Sequence, residues 1–383
     1  MKMKANRKVT VIGAGLTGAT IARCLAEKGF EVTIHERRDH IAGNIFDYPA
    51  ETGQIIQKYG PHIFHTNNEE VIKFVQRFGE WKEFKLECGA SLLDKVVKTP
   101  FNFETIDTFN TSSVAEKIKK LLKVEFPSED EVSILRLLDS SVPEIKEYAS
   151  FLFEKDYFPY SSKQWGIPIE ELDYSIFERV KVRLNYKTGY FSDTYQLMPK
   201  KSFSSFVEAL LNHPKIKVII NSSFTDGLRI VDSKILKNGE EFDENLVYTG
   251  PIDELCQFRL GPLPYRSLRF DIVRLPIRKY QEYPVVAHPL EPDITRITEF
   301  KQLMPCVSDS TYIAKEYPLA FELQKNLERY YPVNTKESAN LYKKYREITS
   351  KVHNLTICGR LGDFKYYNMD QAIAKALEIA NSF

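Results

Sequence analysis

Cysteine is scarce in this chain of 383 residues: Cys24, Cys88, Cys256, Cys306 and Cys358 stand far apart, with no CxxC or CxxH pair. An odd, scattered set excludes a disulfide framework and offers no zinc site, so a reducing cytoplasmic setting and no metal are expected. An excess of one charge is also missing, since 53 Lys and Arg face 52 Asp and Glu and leave a formal net charge of +1. No global field then draws the protein to nucleic acid, and phosphate chemistry must rest on a few placed arginines. No uninterrupted apolar run is long enough to cross a bilayer. Met1–Ala19 has the outline of a signal peptide, yet its apolar run coincides with a strand and a glycine turn, and Arg23 interrupts it soon after. Internal repeats and low-complexity segments are lacking as well.

The informative stretch begins at Lys8. Lys8–Ile12 (KVTVI) reads as a short buried strand, with Gly13-Ala14-Gly15-Leu16-Thr17-Gly18 directly after it. Ala19–Lys28 has helical spacing, with Ile21, Ala22, Leu25 and Ala26 on one face and Gly29 placed to stop it. A second strand, Glu31–Glu36, ends on an acid eighteen positions after Gly18. In this pattern Gly13 allows a tight turn, Gly15 lets backbone approach a pyrophosphate, and Gly18 lets helix and strand pack closely. The helix N-terminus supplies free N–H groups for phosphate, and Glu36 accepts from a ribose. Strand, turn, helix and terminal acid in register predict a dinucleotide-binding domain.

The chain has three textures. Residues 1–80 carry this α/β pattern. From about Phe103 to Phe158 the period is helical: Val114–Leu122, Glu129–Leu138 and Val142–Phe153 each repeat apolar residues every three or four positions. Strand-like segments then return. Ile216–Asn221 and Leu246–Gly250 are expected to extend the first sheet, whereas Leu268–Val273, Pro284–Ala287 and Thr295–Lys301 are expected in a separate antiparallel sheet. Leu355–Cys358, the turn Gly359-Arg360-Leu361-Gly362 and a helix capped by Asn368 close the chain with α/β logic, so the first domain is discontinuous.

NAD and FAD share the first fingerprint. Two features favour FAD: Arg38-Asp39-His40-Ile41-Ala42-Gly43-Asn44 comes directly after the ribose acid, and the C-terminal turn and helix offer N–H groups to a flavin's pyrimidine edge. A second GxGxxG for a nicotinamide is absent. The fold expected is α/β: a discontinuous Rossmann-like FAD-binding domain with a helical insertion and an antiparallel β-sheet domain. Its boundaries are 1–80, 201–261 and 340–383 for the FAD-binding parts. The helical insertion spans 100–178, with a mobile substrate loop near 161–175, and the antiparallel sheet spans 179–200 and 262–335.

Together, IGAGLTGA (12–19), RRDHIAGN (37–44), KYGPHIFHT (58–66), KQWG (163–166), YFSDTYQ (190–196), YTGPID (248–253), YRSLRF (265–270), TRITE (295–299) and GRLGDFKYYNMDQAI (359–373) resemble the bacterial UDP-galactopyranose mutases. The resemblance runs from about residue 7 to the C-terminus. It implies an isomerase that interconverts pyranose and furanose forms of a nucleotide-linked sugar, foremost UDP-galactopyranose and UDP-galactofuranose. It further implies FAD that is active when reduced, through a bond between flavin N5 and sugar C1, and an external reductant such as NAD(P)H. A homodimer and supply of furanose units to surface polysaccharide are implied too.

The roles of single residues come from the same resemblance. Arg179 and Arg296 match two arginines that clamp the pyrophosphate, where a fork of donors neutralises and holds a leaving group. Tyr160, Ser161 and Trp165 match the nucleotide-base segment, with Trp165 in the loop expected to close, and Tyr157 just ahead of them is expected among the substrate-binding residues. Tyr190, Tyr330, Tyr331 and Tyr366 match tyrosines that bond diphosphate or sugar. His62 and His65 match histidines beside the flavin. Gly13, Gly15, Thr17, Gly18, Glu36, Arg37, Gly43, Asn44, Ile63, Phe224, Gly250, Arg360, Tyr366, Asn368 and Met369 complete the expected FAD contacts, and Arg183 is expected to be structural.

Several positions depart from the family pattern. Asn368 replaces an acid, Gln57 stands where histidine is common, and Lys201-Ser202-Phe203 replaces a GGY-like turn. Asp156-Tyr157-Phe158-Pro159 stands where Phe-Phe-Lys-Gly is frequent, Ala287-His288 where an Asn-aromatic pair is, and Glu299-Phe300 where Glu-His is. These cluster near base and sugar, which keeps dTDP-fucose and UDP-N-acetylgalactosamine open as alternative substrates. An amine-oxidase-like flavin oxidoreductase is a rival that has no use for two clamping arginines, and a binder without catalysis has no use for the flavin motifs.

Overall fold

The structure is a computed structural model that describes residues 7–166, 174–325 and 327–383. Its organising element is a five-stranded, all-parallel sheet in the order Ile216–Ile219, Glu31–His35, Lys8–Ile12, Asn245–Tyr248, Leu355–Ile357. The strands come from four distant parts of the chain, so the expected discontinuity is real. Helix Leu16–Glu27 and the C-terminal helix Met369–Asn381 pack together on one face. Ala19, Ile21, Ala22 and Leu25 meet Ile373, Ala376 and Ala380 in one buried core. Helix Phe203–Leu211 joins them, started by Ser202, whose hydroxyl accepts from the Ser205 N–H.

A second, seven-stranded sheet runs Tyr331–Pro332, Tyr265–Leu275, Thr311–Ala320, Arg296–Glu299, Val285–Ala287, Cys88–Leu92, Lys95–Thr99. It departs from expectation in three ways. Cys88–Leu92 and Lys95–Thr99, which precede the helical insertion, supply one edge, and Val285–Ala287 pairs with Cys88–Leu92 in parallel. The sheet is therefore mixed rather than purely antiparallel. Residues 179–200 do not join it. Tyr195–Pro199 pairs with Phe64–Thr66 and Trp81–Glu83, because Leu197 and Met198 are buried in the core of the parallel-sheet domain.

The helical insertion has its own core, in which Ile118, Leu122, Ile134, Leu137, Ile145 and Leu152 are buried. The helix expected over Glu129–Leu138 is shorter. Glu131–Val132 pairs with Val182–Arg183, and helix Ile134–Leu138 starts after Ser133, whose hydroxyl accepts from the Arg136 N–H. Helix Pro143–Leu152 continues through a π-helical turn, Phe153–Tyr157, into helix Phe158–Trp165. The strand expected over Thr295–Lys301 covers Arg296–Glu299 and then coils into the helical turn Phe300–Leu303. Buried Glu299 accepts there from the N–H groups of Tyr280 and Gln281 and fixes the corner. Among the described residues, no helix is long and apolar enough to cross a membrane.

Candidate active site

At the C-terminal ends of the parallel strands lies a cleft with about 1240 Å³ of free space, the place where open α/β sheets take ligands. Its walls include Gly13, Gly15, Thr17, Gly18, Glu36, Arg37, Gly43, Asn44, His62, Phe224, Gly250, Arg360, Asn368 and Met369. Two glycines show why the cleft keeps its shape. A Cβ on Gly18 would sit 2.0 Å from the Gly13 carbonyl oxygen, so helix and turn can approach only without it. Gly43 has φ +54°, and a Cβ there would come within 2.9 Å of the Gly15 Cα. Glu36 is buried and holds the turn, accepting from the N–H groups of Ala14 and Arg38 at 2.9 Å each. A carboxylate has about four acceptor positions, so roughly two remain for a ribose. These features fit the adenosine and pyrophosphate half of a dinucleotide.

The C-terminal helix also begins at this cleft. Asn368 accepts from the Gln371 N–H, and Gln371 returns a bond from the Asn368 N–H at 3.0 Å. The departure at position 368 thus preserves the cap while removing a charge.

Arg38, His35, Thr249 and Glu254 also line the cleft and were not singled out from sequence. Arg38 forks onto Glu328, with contacts of 3.1 and 2.6 Å, and its guanidinium lies 4.5 Å from the centre of the Tyr59 ring. His35 stacks on Phe224 with ring centres 4.2 Å apart. The signal for Arg38 was present in RRDHIAGN, but sequence does not say which of two adjacent arginines turns inward. Ile63, expected at the cofactor, is instead a core residue of the parallel-sheet domain.

A cluster of arginines and tyrosines adjoins the cleft. Arg360 belongs to both, since it lines the cleft and lies 4.8 and 5.9 Å from the ring centres of Tyr366 and Tyr331. The Tyr366 and Tyr331 rings are 5.7 Å apart, and Arg179 lies 5.3 Å from the Tyr366 ring. Tyr330 stands beside Tyr331 but is buried. Arg296 Nε donates to the buried Glu316 carboxylate at 2.7 Å, and Glu316 also accepts from the Thr295 hydroxyl at 3.0 Å. This pairing leaves both terminal nitrogens of Arg296 without a hydrogen-bond partner among the described residues. Burial pushes the Tyr190 phenol up to about 12, with Cys88 acting in the same sense and the charges of Arg179 and Arg296 opposing. Burial also raises Tyr160, again against Arg296. The two expected clamp arginines and both tyrosines therefore share one electrostatic neighbourhood.

Three expectations need correction. Tyr157 is buried in the helical core, edge-on to Phe101, and its hydroxyl donates to the Val180 carbonyl. It is a packing residue rather than a wall of the ligand site. His65 is not among the residues lining the cleft. In strand Phe64–Thr66 its neighbours turn into the core, while its own ring turns out to stack on Phe191 and bond Asp193 at 2.8 Å. Trp165 is the last residue of its helix and packs against the helical core, with Ser161 half-buried one turn earlier. Residues 167–173 of the expected loop lie outside the described residues.

His62 has a defined tautomer. Its Nδ1 lies 2.8 Å from the Gly60 carbonyl, which can only accept, so Nδ1 carries the proton and Nε2 is the acceptor. Gln57 locks the His62 backbone from both sides, donating to its carbonyl and accepting from its N–H. Burial, with help from Arg360 and Arg296, pushes the imidazole down to about 4. An NMR titration assigned with a His62→Asn variant is expected to place the His62 midpoint near 4 rather than 6.5. Between those values the unfolded chain takes up a proton that the folded chain does not, so this residue's stability contribution is lost as pH falls through the window. A midpoint near 6.5 would show an exposed or ion-paired ring.

The fold and the cleft define a dinucleotide-binding protein of the doubly wound type, extended by a mixed sheet and a helical insertion. Comparison with known proteins agrees. The NAD(P)-binding Rossmann-like domain family matches residues 11–78 and the UDP-galactopyranose mutase family matches residues 155–366. A UDP-galactopyranose mutase of Mycoplasma pneumoniae is 33% identical over 374 residues, covering 96% of this chain and 94% of its own. A dTDP-fucopyranose mutase of Escherichia coli is 30% identical over 383 residues, covering 98% of each chain. A crystal structure of reduced UDP-galactopyranose mutase superposes with a TM-score of 0.72 at 18% identity, covering 98% of this chain and 94% of that one. The chain belongs to the UDP-galactopyranose mutase family and is an enzyme of the isomerase class.

Proposed function

We propose that this enzyme interconverts the pyranose and furanose forms of a nucleotide-linked sugar, with UDP-galactopyranose and UDP-galactofuranose as the principal pair and FAD as its cofactor. The observation that carries the reading is the junction at Arg360, where the dinucleotide cleft meets the Arg179, Arg296 and tyrosine cluster. Reduced flavin, when bound, supplies an electron-rich nitrogen toward the anomeric carbon, and an external donor such as NAD(P)H keeps it reduced.

The protein's own residues do the rest. Gly13, Gly15, Gly18, Glu36, Gly43 and the N-terminus of the C-terminal helix hold the cofactor. Arg296, oriented by Glu316, and Arg179 present guanidinium donors to the diphosphate, stabilise it as its bond to the sugar weakens, and keep it near for the return step. Tyr160, Tyr190 and Tyr331, whose phenols burial holds above the ordinary tyrosine value, donate and accept hydrogen bonds around sugar and phosphate, and Tyr366 adds its hydroxyl to the same set. His62, neutral above about pH 4, accepts through Nε2 without adding a charge that would compete with the arginines. A homodimer, acting in the cytoplasm without nucleic-acid or metal partners, is part of the reading.

Dithionite-reduced protein incubated with UDP-galactopyranose, dTDP-fucopyranose or UDP-N-acetylgalactosamine tests it, with product ring form monitored by NMR. Furanose product from UDP-galactopyranose at the highest kcat/KM is expected. Preference for either other donor would redirect the substrate while keeping the reaction. Net oxidation of substrate with oxygen consumption would replace the reading by a flavin oxidoreductase.

A further inference from the structure

Lys163 lies within the family-like stretch KQWG but has no part in the site as described. Its Nζ meets the backbone carbonyls of His288 at 2.7 Å, Pro289 at 3.1 Å and Ile294 at 2.7 Å, together with that of Glu291. An ammonium has three donors and is compact, so a converging set of carbonyls suits it where a planar guanidinium would not fit. Those carbonyls belong to the loop between strands Val285–Ala287 and Arg296–Glu299. The loop ends at Thr295, whose N–H and hydroxyl both bond Glu316, the partner of Arg296.

Lys163 itself stands one helical turn after Tyr160, on the same side of helix Phe158–Trp165. A second cation steadies the far end of this helix: Arg266 donates to the carbonyls of Gln164 at 2.9 Å and Lys163 at 3.3 Å. Gly166, in left-handed conformation, closes the helix, and a Cβ there would strike the Arg266 guanidinium at 2.4 Å. Both tethers run from the helical insertion to the seven-stranded sheet.

We propose that Lys163 is a positioning residue for the nucleotide sugar: through the four carbonyls it fixes the Phe158–Trp165 helix to the loop leading into Arg296, so that Tyr160 and Arg296 face one ligand. The inference rests on the proposed function for the identity of that ligand, but the tether itself does not. Burial pushes the Lys163 ammonium down to about 8, and the neighbouring charges of Glu291, Asp293 and Asp156 oppose that shift.

The test is Lys163→Met in the FAD-loaded, reduced enzyme, which keeps the apolar stem and removes the charge. KM for UDP-galactopyranose is expected to rise roughly tenfold or more, with kcat nearly kept and FAD content unchanged, the size of a lost charge-assisted bond. Hydrogen exchange of the substrate-free holoenzyme is expected to quicken at the amides of 158–166 and 288–295. Faster exchange with an unchanged KM would overturn the positioning role, and unchanged exchange would overturn the tether. A wild-type protein inert toward every donor would count against the proposed function alone, because exchange reads the tether without substrate. Should the methionine variant lose FAD, Lys163→Arg carries the same expectation, since a guanidinium keeps the charge but not the fit.

Discussion

Arg296→Ala is expected to leave the protein yellow and nearly inactive, with kcat lower by roughly 10³-fold and FAD content unchanged. Loss of a donor that stabilises developing charge costs about 10²–10³ in rate, and each tenfold is about 1.36 kcal/mol of barrier. The larger end of that range applies because Arg296 presents two free terminal nitrogens while Nε is held by Glu316. Truncation also strands a carboxylate: Glu316 is 1% exposed, and an unpaired buried charge destabilises by about 3–5 kcal/mol. A drop in thermal midpoint is therefore expected beside the catalytic loss, and the two must be separated. The double variant Arg296→Met, Glu316→Gln removes both charges, so it is expected to recover most of the stability and none of the turnover. Steady-state rates with reduced enzyme and a thermal melt of each variant give the answer. Recovery of activity along with stability would mean that Arg296 serves the fold and not the diphosphate.

The parts of this molecule legible in its sequence are those whose physics is local. The opening from Lys8 to Glu36 obeys short-range rules for strands, glycine turns and helix faces, and its parallel pairing is dictated by the connection alone. The closing segment from Leu355 to Asn381 has the same character. Cys88–Leu92 forms a local hairpin with Lys95–Thr99 that sequence reading missed, whereas its place in the second sheet comes from pairing with Val285–Ala287, nearly two hundred residues away, which no local pattern encodes. Tyr157 illustrates a subtler limit. The π-helical turn Phe153–Tyr157 inserts extra chain per turn and rotates the helix beyond it, so Tyr157 enters the helical core while Tyr160, three residues on, comes under the influence of Arg296. His65 failed for the opposite reason, since a strand of only three residues alternates its side chains strictly and sends the ring toward Asp193. Resemblance carries residue types to positions; it does not carry the direction in which a side chain points.

Glu36→Ala is expected to yield largely colourless protein, with FAD affinity lower by roughly a hundredfold and a reduced thermal midpoint. In the folded protein this carboxylate accepts from Ala14 and Arg38 N–H groups at once, so it ties the glycine turn to the start of the RRDHIAGN loop. Bonds to a charged acceptor contribute about 1.5–3 kcal/mol each, and leaving a buried N–H unpaired costs about 1–3 kcal/mol. The turn would lose its anchor before any cofactor arrives, and the ribose would then lose its acceptor. Gly43 approaches Gly15 too closely for a Cβ, so even a small shift of this loop narrows the cleft where backbone must meet pyrophosphate. Glu36→Gln separates the two contributions, because its amide oxygen can still take one N–H while its amide nitrogen faces the other. An intermediate FAD affinity and a midpoint between wild type and alanine are expected for it. Fluorescence titration of apoprotein with FAD, together with melts in the presence and absence of excess cofactor, reads both effects. Alanine and wild-type proteins that bind FAD equally would show that the turn is held by its glycines and helix alone, and that the acid is not the cofactor's partner.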